Sequence, residues 1–143
     1  LRTDIPAFAA HIASTISNVT GNGTVYKAVF ATERYDQGSN FDGASTFTAP
    51  VAGKYQFNIR LYLSGQVSAI GAAVDLVTSN YTYGMVFQGF NTSANADGWT
   101  FSQAVDMDLN DTAYVNITVS GEAGDVIDLN NTARNHFSGH LIA

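Results

Sequence analysis

From Lys54 to Ser64 the side chains alternate so regularly that an extended strand, buried on one face, is the conformation that suits them. Tyr55, Phe57, Ile59, Leu61 and Leu63 share one face, while Lys54, Gln56, Asn58, Arg60 and Ser64 share the other. A helix would scatter both sets around its axis. Tyr62 interrupts the polar face, which predicts that this face also touches something. Upstream, Pro50 has no N–H to give to a ladder and Gly53 supplies a permissive backbone, so the chain must turn between Ser45 and Tyr55. The stretch therefore reads as short strand, corner and long core strand.

The same period of two recurs downstream. Trp99, Phe101, Val105, Met107 and Leu109 alternate with Thr100, Ser102, Asp106 and Asp108, and Ala113, Val115, Ile117 and Val119 alternate with Tyr114, Asn116 and Thr118. Asn110-Asp111 separates the two runs, and Asn tolerates the left-handed backbone of a tight turn. Shorter strands are predicted over 6–12, 25–32, 72–78, 83–88, 126–129 and 137–142, with loops at 17–24, 35–43, 89–98 and 130–135 where Gly, Asn and Ser collect. About ten short strands without helical periodicity imply an all-β antiparallel sandwich or barrel.

A chain of 143 residues fits a single domain over 1–143. Only 13% of its residues are charged, about half the usual share, so its surface must be built from Asn, Thr, Ser and Gly. Such a surface suits an extracellular or virion-surface protein. A net charge of −6 with six Lys plus Arg in total excludes a nucleic-acid partner, because no basic stripe exists to meet phosphates. No run approaches the roughly 20 apolar residues of a membrane span, so direct membrane insertion is not expected. Without cysteine, stability must come from the core and from assembly. The chain opens at Leu1 without a basic-then-apolar leader, which reads as the C-terminal head of a longer chain whose upstream part carries targeting or a stalk.

No catalytic constellation is present: there is no Gly-x-Ser-x-Gly elbow and no cysteine nucleophile. His136 and His140 would stand roughly 13 Å apart on one strand, too far for one metal ion, and with His11 they read as structural. Asp106 and Asp108 on one strand face read as a solvated rim. The residue types best suited to recognition are Tyr81, Tyr83, Phe90, Asn91, Asn95, Asp97 and Trp99 around the 89–98 loop. Aromatic rings stack on the apolar faces of sugars while amides and carboxylates satisfy hydroxyls, so this set is the candidate glycan site. The competing reading has Tyr83 and Trp99 beginning strands and pointing inward. Seven Asn-x-Ser/Thr sequons, at Asn18, Asn22, Asn80, Asn91, Asn110, Asn116 and Asn130, arise as readily from an Asn- and Thr-rich outward strand face as from glycosylation.

Phe47-Thr48-Ala49-Pro50, Gly53 and Tyr55-x-Phe57 resemble the signature of the C1q/TNF-like family. His136-Phe137-Ser138-Gly139-His140-Leu141-Ile142 resembles its Phe-Ser-Gly-x-Leu closing strand, and Pro6-x-Phe8-x-Ala10 its opening. Asn110-Asp111 stands where the family usually writes Gly-Asp. The resemblance, which reaches from Pro6 to Ala143, implies a jelly roll of about ten strands that assembles as a homotrimer. It also implies that Tyr62, Tyr114, Phe137 and Leu141 border the three-fold axis. Calcium is the one cofactor it admits. Asp106, Asp108 and Asp111 are the candidate ligands, although the Asp-x-Asp-x-Asn run lacks the Gly and Glu of a helix-flanked calcium loop at Asp111 and Ile117. The function expected is that of a trimeric receptor-binding or adhesive head on a viral or phage fibre or spike, recognising a cell-surface glycan. The alternatives are a secreted or cell-surface recognition module and a purely structural trimerisation or virion decoration domain.

Overall fold

Burial of the apolar strand faces against one another produces two packed antiparallel sheets. The computed structural model describes residues 4–88, 95–130 and 132–143. Twelve strands run in order: β1 (Ala7–His11), β2 (Ile16–Thr20), β3 (Val25–Lys27), β4 (Thr32–Gln37), β5 (Phe47–Thr48), β6 (Gly53–Ser64), β7 (Gly71–Thr78), β8 (Thr82–Gln88), β9 (Ala96–Met107), β10 (Thr112–Ser120), β11 (Ile127–Leu129) and β12 (His136–Leu141). A 3₁₀ turn, Thr132–Arg134, precedes β12.

β6 organises the larger sheet. β9 pairs with it along its whole length, from Gly53↔Met107 to Ser64↔Ala96, so β9 occupies one edge of β6. The other edge is shared end to end by β12, opposite Tyr55 to Arg60, and β11, opposite Leu63 and Ser64. β1 and β4 continue the sheet beyond β12, and β2 lies beyond β11. The smaller sheet has the order β3-β10-β7-β8, with β5 also on β10. The alternation read from the sequence holds: Tyr55, Phe57, Ile59, Leu61 and Leu63 are buried, as are Ala113, Val115, Ile117 and Val119 on β10.

An aromatic cluster fills the space between the sheets. Phe8 stacks on Phe41 at 4.7 Å and Phe47 at 5.1 Å and meets Phe137 edge-on at 5.0 Å, while Phe57 stacks on Phe137 at 5.8 Å. These contacts add about 0.5–1.5 kcal/mol per pair to the burial itself. Gly139 in β12 makes room for them: a Cβ there would lie 2.5 Å from the Phe57 ring and 3.0 Å from Phe8. The glycine of the closing strand is therefore a slot for two rings.

Gly53 has a related cause. Its φ lies outside the left-handed region, yet a Cβ would sit 2.7 Å from the Ala143 carbonyl oxygen and 2.8 Å from the Leu141 side chain. The corner expected at Pro50–Gly53 thus uses glycine for close approach between β6 and the chain end, not for a special φ. The corner is fastened where Ala49 exchanges backbone hydrogen bonds with the 110–111 turn and where the buried Tyr55 hydroxyl donates to the Val51 carbonyl at 2.8 Å. Asn110 does adopt the left-handed backbone, with φ of 72°.

Three local expectations are corrected. The 17–24 loop contains β2, because Ile16 and Thr20 pair with β11 and the irregular Asn18, at φ 59°, has its N–H bonded to Asp128 at 2.8 Å. The 25–32 strand is two strands in different sheets: after β3 the chain crosses the core through the fully buried Ala28 and Phe30 before entering β4. Leu109 lies beyond the end of β9 and is exposed, because the turn takes over after Met107.

At the 66–70 link, the buried Glu122 carboxylate accepts hydrogen bonds from the N–H groups of Val67, Ser68 and Ala69 at 2.7–2.9 Å and from the Ser68 hydroxyl at 3.0 Å. Desolvation pushes this carboxyl up, but the four donors outweigh it and hold the group below the usual glutamate range. A depressed folded-state value stabilises the fold above the unfolded value, and that contribution is lost as pH falls from about 4.5 through the folded value. Glu122→Gln should therefore reduce the loss of urea stability over this acid window, and an unchanged pH profile would contradict the assignment. Gly139→Ala should cost about 1–3 kcal/mol by forcing the Phe57 and Phe8 rings apart, measured by equilibrium urea unfolding.

Candidate functional site

The structure divides the expected recognition set. Tyr81 precedes β8 and is well exposed, and its ring meets Tyr83 edge-to-face at 4.9 Å. The turn behind them is fixed by the Thr78 N–H and hydroxyl, which both donate to the Tyr81 carbonyl. Next to Tyr81, Asn80 Nδ2 donates to Asp111 at 2.7 Å and reaches the Asp106 carbonyl at 3.4 Å. Trp99 lies seven residues along β9 from Asp106, about 23 Å at strand rise, opposite Leu61. It is partly buried against the core, as is Tyr83. The inward alternative fits both Trp99 and Tyr83, which stand opposite the buried Leu61 and Leu76, and Trp99 lies at the other end of β9 from the turn that carries Tyr81.

Asn95, at φ 53°, and Asp97 lie near the Trp99 end, where the Asn95 carbonyl accepts from Gly65 N–H at 3.2 Å. Phe90 and Asn91 lie outside the described residues. What remains together is the Tyr81–Tyr83 pair with Asn80 and Asp111 beside it.

The acidic turn does not gather a metal-binding set. Asp106 faces Lys54 across the β6–β9 ladder at 2.5 Å, and Asp111 is occupied by Asn80 and by the Asp108 N–H at 2.8 Å. Among the described residues no three His, Cys, Asp or Glu side chains converge to hold a metal ion. Of the calcium candidates, Asp106 is thus engaged by Lys54 across the β6–β9 ladder and Asp111 within the β9–β10 turn, while the Asp108 side chain stands exposed beside them.

A cleft of about 760 Å³ lies elsewhere, on the outer face of the larger sheet, lined by His11, Arg34, Tyr35, Arg60, Thr132 and His136. Sequence reading passed over it because its members come from four separate strands and the link before β12. The available signal was that His11, Arg60 and His136 all occupy outward positions of strands whose other faces are apolar.

Matched against known families, residues 7–142 fit the C1q domain model. The chain belongs to the C1q domain family. No curated protein matches it significantly. Among solved structures, the globular domain of a zebrafish complement 1qA protein superposes with a TM-score of 0.72 at 16% identity, covering 98% of each chain. Murine APRIL superposes with a TM-score of 0.64 at 9% identity, covering 97% of this chain and all of the other. At such identities the likeness establishes the C1q/TNF-like fold.

Placed on this C1q domain, the four residues expected at a three-fold axis do not share a surface. Phe137 is fully buried in the aromatic cluster and is unavailable to a neighbouring subunit. Tyr62 faces outward from the larger sheet beneath the Arg134 guanidinium at 5.0 Å, whereas Tyr114 faces outward from the smaller sheet beneath Lys27 at 4.2 Å. Leu141 is half-buried beside Gly53. The period of two placed each side chain on a face, but it did not state which faces were the same.

Proposed function

We propose that this C1q domain is a non-catalytic recognition head that acts as a homotrimer and binds a cell-surface receptor, with a glycan as ligand, at the tip of a viral or phage fibre or spike. The observation that carries the reading is the family match over residues 7–142. Domains of this family typically form trimers, bind receptors and work outside cells. Among the described residues no helix is long and apolar enough to cross a membrane. The attachment role is supported by a surface rich in Asn, Thr and Gly, poor in charge and free of cysteine. The glycan is supported by the exposed Tyr81 ring on Tyr83, flanked by the Asn80 amide and the Asp111 carboxylate. A stacked ring buries the apolar face of a sugar while amide and carboxylate meet its hydroxyls.

A second reading, a secreted recognition module, is favoured by the likeness to the zebrafish complement domain. A purely structural trimerisation or decoration domain is the third. Light scattering at micromolar concentration should give about three chain masses, and a monomer would overturn the assembly. On a glycan array Tyr81→Ala should lower retention by about ten-fold or more while leaving the assembly and melting temperature unchanged. Equal retention by this variant would remove the ring pair from recognition, and failure of the wild type to bind any glycan or cell surface would favour the structural reading.

A further inference from the structure

The cleft on the outer face of the larger sheet is built by strand register. His11 of β1 lies opposite His136 of β12, and His136 lies opposite Arg60 of β6, so the three side chains stand in one row across three strands. A bulge in β4 completes it. Ala9 faces Tyr35 and Ala10 faces Glu33, which leaves Arg34 as the extra residue, re-aimed so that it lines the cleft with Tyr35. The His11 and His136 rings are 5.5 Å apart, and both Arg34 and Arg60 act electrostatically on His136.

This concentration of positive charge is unexpected in a chain with twelve acidic and six basic residues. No Asp or Glu is among the residues that line the cleft or the smaller hollow continuous with it. Among the described residues neither Arg34 nor Arg60 has a carboxylate partner. Within one subunit the two guanidinium forks share a concave surface without counter-charge and repel one another unless an anion joins them, and the two imidazoles stand beside them as further donors.

We propose that this cleft is an oxyanion-binding site, in which Arg34 and Arg60 hold a sulfate, carboxylate or phosphate group and His11 and His136 add donors. The proposal does not rest on the glycan reading of Tyr81 and Tyr83, which lie on another part of the molecule. The ring nitrogens explain how the histidines take part. His136 Nε2 lies 3.0 Å from the Ala133 carbonyl oxygen and His11 Nδ1 lies 2.8 Å from that of Ile12, so each of these nitrogens carries a hydrogen and donates. The second nitrogen of each ring becomes a donor only in the imidazolium form.

Burial holds the His136 value below the ordinary one, and Arg60, His11 and Arg34 lower it further, outweighing the hydrogen bond to Ala133 that raises it. The groups facing His136 are thus His11 from β1, Arg34 and Tyr35 from β4, Arg60 from β6 and the Ala133 carbonyl from the 3₁₀ turn. A bound anion offsets that repulsion and raises the imidazole's affinity for a proton. Anion binding is then linked to proton uptake and tightens as pH falls.

The test is a calorimetric titration of inorganic sulfate into the purified protein in its own assembly state, at about pH 8 and about pH 6. Saturable binding is expected, tighter at the lower pH and weakened about ten-fold in Arg60→Gln. Arg34→Gln, on the exposed bulge, should show the same loss and serves if Arg60→Gln does not fold. His136→Gln should flatten the pH dependence while leaving sulfate bound at the higher pH. A sulfated disaccharide and its unsulfated parent separate the sources: a gain of the sulfated sugar over sulfate assigns a glycan-borne anion, and equal affinity assigns a free one. No saturable binding of sulfate or of the sulfated sugar, or equal binding by wild type and both arginine variants, overturns the proposal.

Discussion

Phe8 and the rings around it set the geometry on which the rest of the sandwich depends. Phe8 enters from β1, Phe57 from β6, Phe137 from β12, Phe41 from the loop before β5 and Phe47 from β5, so one cluster ties both sheets and a connecting loop to a common centre. Those rings fit because Gly139 has no side chain where Phe57 and Phe8 pass β12. Moving β12 by one residue would place Ser138 or His140 against the rings and turn every outward group inward. The register that satisfies the core is therefore also the register that aligns His11, His136 and Arg60 on the opposite face.

Much of this architecture was legible because the strongest signals were long and strictly alternating. The Lys54 to Ser64 run specified β6, and the runs on either side of Asn110 specified β9 and β10. The family resemblance rested on Phe47 to Pro50, Gly53, Tyr55-x-Phe57, the opening Pro6-x-Phe8-x-Ala10 and the closing strand from His136 to Ile142, although the reason for Gly53 is crowding at the chain end and not backbone dihedral. Short elements were harder. Ser17 to Thr24 carries the punctuation of a loop, and only the tertiary partner β11 makes Ile16–Thr20 a strand. Val25 to Thr32 looks continuous because Ala28 and Phe30, though buried, serve the crossing between sheets.

The sites were less legible for a related reason. Periodicity gives the face of a residue within its strand, and residue type gives its chemistry, but neither gives the end of the sandwich at which it stands. Tyr81 and Trp99 are joined in sequence by one segment and separated in space by most of β9. The cationic cleft shows the converse: Ala9, Arg34, Arg60 and His136 are far apart in sequence and are assembled by register alone. A low charge content makes such a cluster conspicuous once the fold is known, since few other cations compete for notice.

The central claim, that Gly139 exists to admit the Phe57 ring, is tested most directly by a double-mutant cycle in urea unfolding between Gly139→Ala and Phe57→Leu. If the cost of the added methyl group is contact with that ring, Gly139→Ala should destabilise the Phe57→Leu background by about 1 kcal/mol less than it destabilises the wild type. Strict additivity of the two substitutions would contradict the account.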